Sequence, residues 1–383
     1  MKWQKMMYGR TLTLTLGILV LLPLVAAAQN SSGNASSIPT ADAAKPLLSS
    51  GAGLDRELST DPAGPLIKTG LTLFSQQKWT EAEAQFRTAL QTNPRSLSAQ
   101  LWLGYTLFRQ ARYPDAETVF KQLAGAQPSV AARQANLGES LLEQQKWAEA
   151  ERAYVRAAEL EATNPLWQYF LGFVVFAQKR VDESETYLRR AVELEPRNAG
   201  WFADFAAAQV ELGKWKNAEA AYRQAIFISD EPRWHNGLSN ALFNQGKTTT
   251  AIAELQLAIE RAPQVALFHI NLGNLYTKLQ KWPEAERALR EGVALKSDQA
   301  GWHALLATAL YQQQKYRDAA NSYKEAIRLR PNDALSHFNL GVIYLNLGDK
   351  RSAQAELDKL KPLDQRLATK LNDLIQGKTP AGN

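Results

Sequence analysis

No cysteine occurs among the 383 residues. That absence excludes disulfides, thiol nucleophiles, cysteine-bound metals and lipid attachment through sulphur. Histidine occurs only four times and methionine three. Sustained apolar runs are equally scarce. One covers residues 12–25, short of the roughly 20 residues that a spanning helix needs. An excess of charge of one sign is also lacking. Lys and Arg number 44 against 38 Asp and Glu, a formal net charge of +6. Lys2, Lys5 and Arg10 lie in a start that holds no acid, which leaves 41 against 38 in the remainder. So near a balance gives no electrostatic case for nucleic acid as a partner.

The start reads as a secretory signal peptide over residues 1–28. It has a basic opening, an apolar run and the small residues Ala26-Ala27-Ala28. Cleavage is expected between Ala28 and Gln29, and an uncleaved membrane anchor is the alternative. Residues 29–62 then turn to Ser, Ala, Gly and Pro with almost no aromatics. A segment of that composition buries too little apolar surface to offset its ordering entropy, so it reads as a flexible tether. The expected location is a bacterial periplasm or outer surface.

From residue 63 onward the chain repeats itself. A column of small residues runs Gly70, Gly104, Gly138, Gly172, Ala206, Ser239, Gly273, Ala307, Gly341, with steps of 34 apart from a single 33. A second column runs Ala82, Ala116, Ala150, Ser184, Ala218, Ala251, Ala285, Ala319, Ala353 with the same steps. Each unit predicts a first helix, a short turn and a second helix. The second helix opens near an aromatic in Trp79, Tyr113, Trp147, Trp215, Trp282 and Tyr316 and is stopped by Pro94, Pro128, Pro196, Pro263 or Pro331. Small residues recur because two helices approach closely only where one lacks bulk.

In period, and in residues such as Gly70, Ala82, Phe86, Ala89 and Pro94, the chain resembles the tetratricopeptide repeat family. The resemblance spans about nine units, residues 63–361. It implies an all-α, right-handed superhelical solenoid that binds other proteins and catalyses nothing. Residues 362–383 supply a capping helix and tail, with Leu367, Leu371, Leu374 and Ile375 on one helical face. Such a helix covers the hydrophobic seam that the last unit leaves open.

Two motifs invite chemistry. His235, His269, His303 and His337 stand 34 apart, as a metal ladder would. First helices of neighbouring units are about 8–10 Å apart or more, and no carboxylate is expected to recur beside these rings, so they read as packing residues. Gly246-Lys247-Thr248 lacks the glycine that a phosphate-binding loop requires five residues earlier, where Ala241 stands. No Ser-His-Asp set has a supporting context. Catalytic residues, metals and cofactors are accordingly none.

In each first helix, repeat positions 2, 6, 9 and 13 point away from the packing positions. In proteins of this resemblance that face lines a concave groove where partners bind. Here it carries Trp102, Tyr105 and Arg109, then Asn136, Glu139 and Glu143, then Leu166, Phe170 and Phe173. Further along it carries Arg233, Asn240, Asn244, Asn271, Asn274, Lys278, Asn339 and Asn346. The rings of the first half are either anchors for a partner or residues that strong curvature buries. Asparagines in the second half can donate to and accept from a peptide backbone. The Asn-Leu-Gly triplets at 136–138, 271–273 and 339–341 resemble those in the superhelical arm of O-linked N-acetylglucosamine transferases. A carboxylate clamp is not expected, because Ile67 and Leu71 stand where it needs Lys and Asn. The expected partner is a protein or peptide of the cell envelope, with envelope polysaccharide as the alternative. A membrane enters only through an uncleaved leader.

Overall fold

A computed structural model describes residues 58–377. The expected leader, its cleavage point at Ala28 and Gln29, most of the tether and the last residues of the tail lie outside the described residues. Within them all regular structure is helical.

The array divides into two compact units between Gln178 and Lys179. The first holds α1 (Gly64–Ser75), α2 (Trp79–Thr92), α3 (Leu97–Arg109), α4 (Tyr113–Ala126), α5 (Ala131–Glu143), α6 (Trp147–Leu160) and α7 (Pro165–Ala177). The second holds α8 (Val181–Leu194), α9 (Ala199–Glu211), α10 (Trp215–Ile228), α11 (Pro232–Asn244), α12 (Thr248–Arg261) and α13 (Ala266–Lys278). It continues with α14 (Trp282–Leu295), α15 (Ala300–Gln312), α16 (Tyr316–Leu329), α17 (Ala334–Asn346), α18 (Lys350–Leu360) and α19 (Gln365–Ile375). In each unit consecutive helices pair, and each pair stacks on the next. Second helices begin at the expected aromatics Trp79, Tyr113, Trp147, Trp215, Trp282 and Tyr316.

A left-handed residue ends each first helix. Gln77, Ala111, Gln145, Lys179, Gly213, Gly246, Gln280, Gln314 and Gly348 have φ between 57° and 78°. After α1, the Gln77 N–H donates to the Phe74 carbonyl and the Lys78 N–H to that of Leu73. This Schellman pattern satisfies carbonyls that the helix end would otherwise leave bare. It recurs from Arg112 to Leu107, Lys146 to Leu141 and Lys315 to Leu310. Six of the nine positions are not glycine, although a side chain there costs about 1–2 kcal/mol. The hydrogen bonds of the turn outweigh that strain.

Inside a pair, the first helix rests on a ring or branched side chain of the second. A Cβ built on Gly70 would lie 2.6 Å from the Phe86 ring, one on Gly104 2.5 Å from Phe120, and one on Gly138 3.0 Å from Tyr154. At Gly70 and Gly104 a side chain would force the ring or the helix to shift. In the sixth pair the same place is taken by Ser239, which uses its hydroxyl to donate to the Ala251 carbonyl at 2.7 Å. The one-residue contraction of the period falls in the loop before α11, where residues 229–231 replace the four residues seen between α2 and α3.

Pairs are also tied to their neighbours by a polar clasp that the sequence reading passed over. Glu83 on α2 accepts from Gln110 at 3.0 Å and from Arg112 at 2.9 Å, both at the next turn. Glu117 meets Gln144 and Lys146, Glu219 meets Gln245 and Lys247, and Glu286 meets Gln313 and Lys315. Burial opposes ionisation at Glu83, Glu117 and Glu286, yet these bonds hold all three carboxyls below their ordinary range.

At the C-terminal end α19 lies against α17 and α18. Leu371 is fully buried in a cluster with Leu357, Leu360 and Ala368, and Leu367, Ile375, Phe338, Val342 and Leu345 pack against that cluster. Asp364 caps the helix by accepting from the Leu367 N–H at 2.9 Å. Among the described residues no helix is long and apolar enough to cross a membrane.

The clasp makes stability depend on acid. The hydrogen bond from Lys247 is the main reason that the Glu219 carboxyl is lowered to about 2. The unfolded value is near 4.3. The contribution is therefore complete above that value and is lost as pH falls toward 2. Glu219→Gln should cost about 1 kcal/mol at pH 7, since Lys247 is half exposed, and it should cost almost nothing near pH 2. Urea unfolding at both pH values checks this, and an equal loss at both would count against the clasp.

Candidate functional site

The face of interest in the first unit is built by α3, α5 and α7, with α6 behind it. Neighbouring pairs cover more of this face than a single helix suggests. Trp102 and Phe170 are only 5% and 4% exposed, and Tyr105 and Asn136 are also buried. The Trp102 ring meets Phe74 edge-on at 5.2 Å, Tyr105 meets Phe120 at 5.5 Å, and Phe170 stacks parallel on Tyr154 at 5.0 Å. The expectation that these rings stand free of packing is therefore corrected. For Trp102 and Phe170 the preceding pair supplies the covering ring, whereas Tyr105 packs on Phe120 of its own pair and reaches Asn136 of the next. Phe173 stays half-buried, and Arg109 is exposed, with its guanidinium 5.3 Å from the Trp79 ring centre.

Polar groups lie among these rings. The Tyr105 hydroxyl donates to Asn136 Oδ1 at 3.0 Å. Asn136 Nδ2, Glu139 Oε1 and the Tyr154 hydroxyl are shielded from solvent and have no hydrogen-bond partner. An orphaned buried polar atom costs about 1–3 kcal/mol. Three of the six such atoms among the described residues belong to this one cluster, the others being Gln209 Oε1, Trp234 Nε1 and Gln245 Oε1. Burial, aided by the Glu143 charge, pushes the Glu139 carboxyl up to about 8. Burial also raises Glu143, partly offset by a hydrogen bond from Tyr113. Tyr105 is driven up to about 12 by burial and by the Glu139 charge, and Tyr154 rises well above its ordinary value for the same reasons.

The second unit presents amides instead. Asn271 on α13 donates to Asn236 on α11 at 2.7 Å, joining two first helices directly. Asn240 and Asn274 are half-buried near that bridge, with Lys278 a turn beyond. Asn244 is exposed and donates to the Asn240 side chain at 2.9 Å. Asn339 donates to the Tyr323 hydroxyl at 3.0 Å, and Asn346 to the Val342 carbonyl at 2.9 Å. Arg233 is spent on Glu231 at 2.7 Å and on the face of Trp234.

Three of the four histidines are buried, as packing residues should be. The expectation of no carboxylate beside them is corrected at two. His235 lies between Glu254 at 2.6 Å and Asp230 at 2.7 Å, and His337 meets Glu356 at 2.6 Å. His269 and His303 instead use a backbone carbonyl, of Pro263 and of Ser297. Among the described residues no group of three metal-binding side chains converges.

Helical hairpins joined by left-handed turns and stacked at a fixed period define a helical-repeat protein. The chain belongs to the tetratricopeptide repeat family, whose profile matches residues 67–131, 136–199 and 204–266. Further tetratricopeptide profiles match 242–309, 307–348 and 334–365. Among curated proteins it is similar to BBSome complex member BBS4 of Xenopus tropicalis, 28% identical over 40% of this chain and 28% of that one. It is also similar to Hsp70-Hsp90 organizing protein 1 of Glycine max, 26% identical over 42% of this chain and 28% of that protein. The chain thus spans under a third of the length of these relatives. Among solved structures it is similar to the C-terminal part of a TPR repeat-containing protein from Cytophaga hutchinsonii. The TM-score is 0.52 at 15% identity, covering 61% of this chain and 97% of that one. This likeness is one of fold. Repeats of this family make the chain a scaffold of the protein-interaction type.

The two phenylalanines of α7 should now part company. Phe170→Ala removes a buried, stacked ring and should cost about 3–5 kcal/mol. Phe173→Ala should cost less than half as much, because the side chain keeps solvent contact. Thermal and urea unfolding of both variants check this. Equal costs would return Phe173 to the core.

Proposed function

We propose that the protein is an exported, non-enzymatic scaffold that holds an extended or helical segment of another cell-envelope protein along its first-helix faces. The observation that carries this reading is the amide surface of α11 and α13. There Asn271 and Asn236 bridge the helices, and Asn240, Asn244 and Asn274 keep donor and acceptor capacity beside them. Amides of this kind suit a peptide backbone, because they match its N–H and C=O groups without reading side chains. On the second helices, by contrast, carboxylates such as Glu219 and Glu286 are committed to clasps with Lys247 and Lys315. Two similar proteins carry names that speak of assembly, a BBSome complex member and an Hsp70-Hsp90 organizing protein. Export rests on the leader, with its basic start, apolar run and Ala26-Ala27-Ala28.

One experiment reads both halves of this proposal. A photo-crosslinking residue is placed at Asn274, or at Arg287 on α14 as a control, in the producing cell. Adducts are then recovered and analysed by mass spectrometry. The expected result is a protein adduct from position 274 and none from 287, on a chain beginning at Gln29. A glycan adduct would favour polysaccharide, and an intact Met1 would make the leader an anchor.

A further inference from the structure

The orphaned polar cluster of the first unit has a composition that selects its ligand. α5 supplies Asn136, Glu139 and Glu143, α3 supplies Tyr105, and α6 supplies Tyr154 from behind. Tyr154 is about 1% exposed, and its hydroxyl lies within the field of both carboxylates. The ring of Phe170 on α7 stacks against it, with Tyr169 adjoining at 5.6 Å from Phe170. Around Glu139 the titratable and charged groups are thus Tyr105, Tyr154 and Glu143. Tyr113 on α4 donates to Glu143, and Arg133, six residues before Glu139 on α5, acts on Tyr105 while donating to Gln127. Among the described residues no cation contributes to the shift of Glu139 or Glu143.

Resting on the scaffold reading above, we propose that this cluster is the subsite for one basic side chain, Lys or Arg, of the bound polypeptide segment. Glu139 and Glu143 take its cation, and Asn136 Nδ2 donates to a backbone carbonyl of the same segment. The orphans fit this division. Glu139 Oε1 and the Tyr154 oxygen need donors, which an ammonium or guanidinium brings in excess. Asn136 Nδ2 needs an acceptor, which the cation lacks and the peptide carbonyl provides. Rings on either side suit a cation that has shed water. A neutral sugar would satisfy donors and acceptors alike, but it would bring no counter-charge to the adjoining Glu139 and Glu143 carboxyls, both of which burial raises.

Binding should be linked to a proton. With its carboxyl raised to about 8, Glu139 holds a proton at neutral pH in the free chain. An arriving cation favours the carboxylate, so that proton passes to the buffer as the ion pair forms. Affinity should then rise with pH by up to about tenfold per unit below that value.

The test uses the full chain carrying carbon-13 in its glutamate carboxyls. The probes are acetyl-Ala-Ala-Arg-Ala-Ala-amide and a twin with neutral citrulline for arginine. The arginine peptide should shift the Glu139 carboxyl signal toward the ionised position in the millimolar range. It should bind more tightly at pH 7.5 than at pH 6, and it should bind at least about tenfold tighter than the citrulline twin, which is the 1.4 kcal/mol of one decade. Glu139→Gln mimics the protonated acid, so its melting curve should match the parent while the pH dependence disappears. If that variant fails to fold, the comparison of the two peptides on the parent chain decides alone. Equal binding of the twin, an unmoved Glu139 signal, or a response to chitotetraose in place of the arginine peptide would overturn the subsite. Crosslinks from Asn274 to a protein, with Glu139 unresponsive, would sink this proposal and leave the scaffold reading standing. Failure at both positions would sink the two together.

Discussion

The structure depends on one close approach repeated along the chain: the backbone of a first helix lying on the ring or branched side chain of its own second helix. At Gly104 there is no room for even a methyl group, since a Cβ would come within 2.5 Å of Phe120. Closeness of this order sets the spacing inside each pair. That spacing decides where the next pair can settle, and the turn between the two helices must then reverse the chain in a few residues. A left-handed residue does this at each of the nine turns, with paired Schellman bonds at eight of them, even where glutamine or alanine has to adopt the conformation. The Glu83-type clasp closes over that turn from the preceding pair. Local geometry, packing and electrostatics are therefore one arrangement used repeatedly.

The same constraint explains why a polar site arises in the first unit. The place under the small-residue column is held by Phe86, Phe120 and then Tyr154. Exchanging Phe for Tyr keeps the ring contact but carries a hydroxyl into the interior. At Tyr323 the equivalent hydroxyl is satisfied by Thr308 and Asn339. At Tyr154 nothing in the chain satisfies it, and Glu139 and Asn136 are incomplete beside it. Unsatisfied groups of this kind lower the stability of the free protein and make a matching ligand more favourable than its contact area suggests. A scaffold gains selectivity by leaving such groups for its partner to complete.

Much of the fold was legible because stacking demands the same residues at the same spacing. Small residues at 70, 104 and 138 and aromatics at 79, 113 and 147 could only be columns of one recurring pair. The clasp was equally visible, as Glu83, Glu117, Glu151, Glu185, Glu219 and Glu286 on one column. It was missed because charged residues on a second helix read naturally as solvated. The site was legible in part. A helical wheel places Trp102, Tyr105 and Phe170 opposite the packing stripe, which is correct for one helix alone. It cannot register that an adjoining pair covers that side as well. Histidine pairing failed for a related reason. Glu254 and Glu356 stand 19 residues after His235 and His337, but Ala288 and Ser322 hold those places after His269 and His303, so no period exposes the contact.

Stability should accordingly reside in neighbouring pairs and not in a common core. Segment-resolved hydrogen exchange of Gly104→Ala measures this directly. Forcing a methyl group against Phe120 should weaken protection in α3 and α4 and, to a smaller degree, in α2 and α5. Protection from α15 to α19 should be unchanged. A uniform loss along all the helices, or none in α3 and α4, would contradict the account.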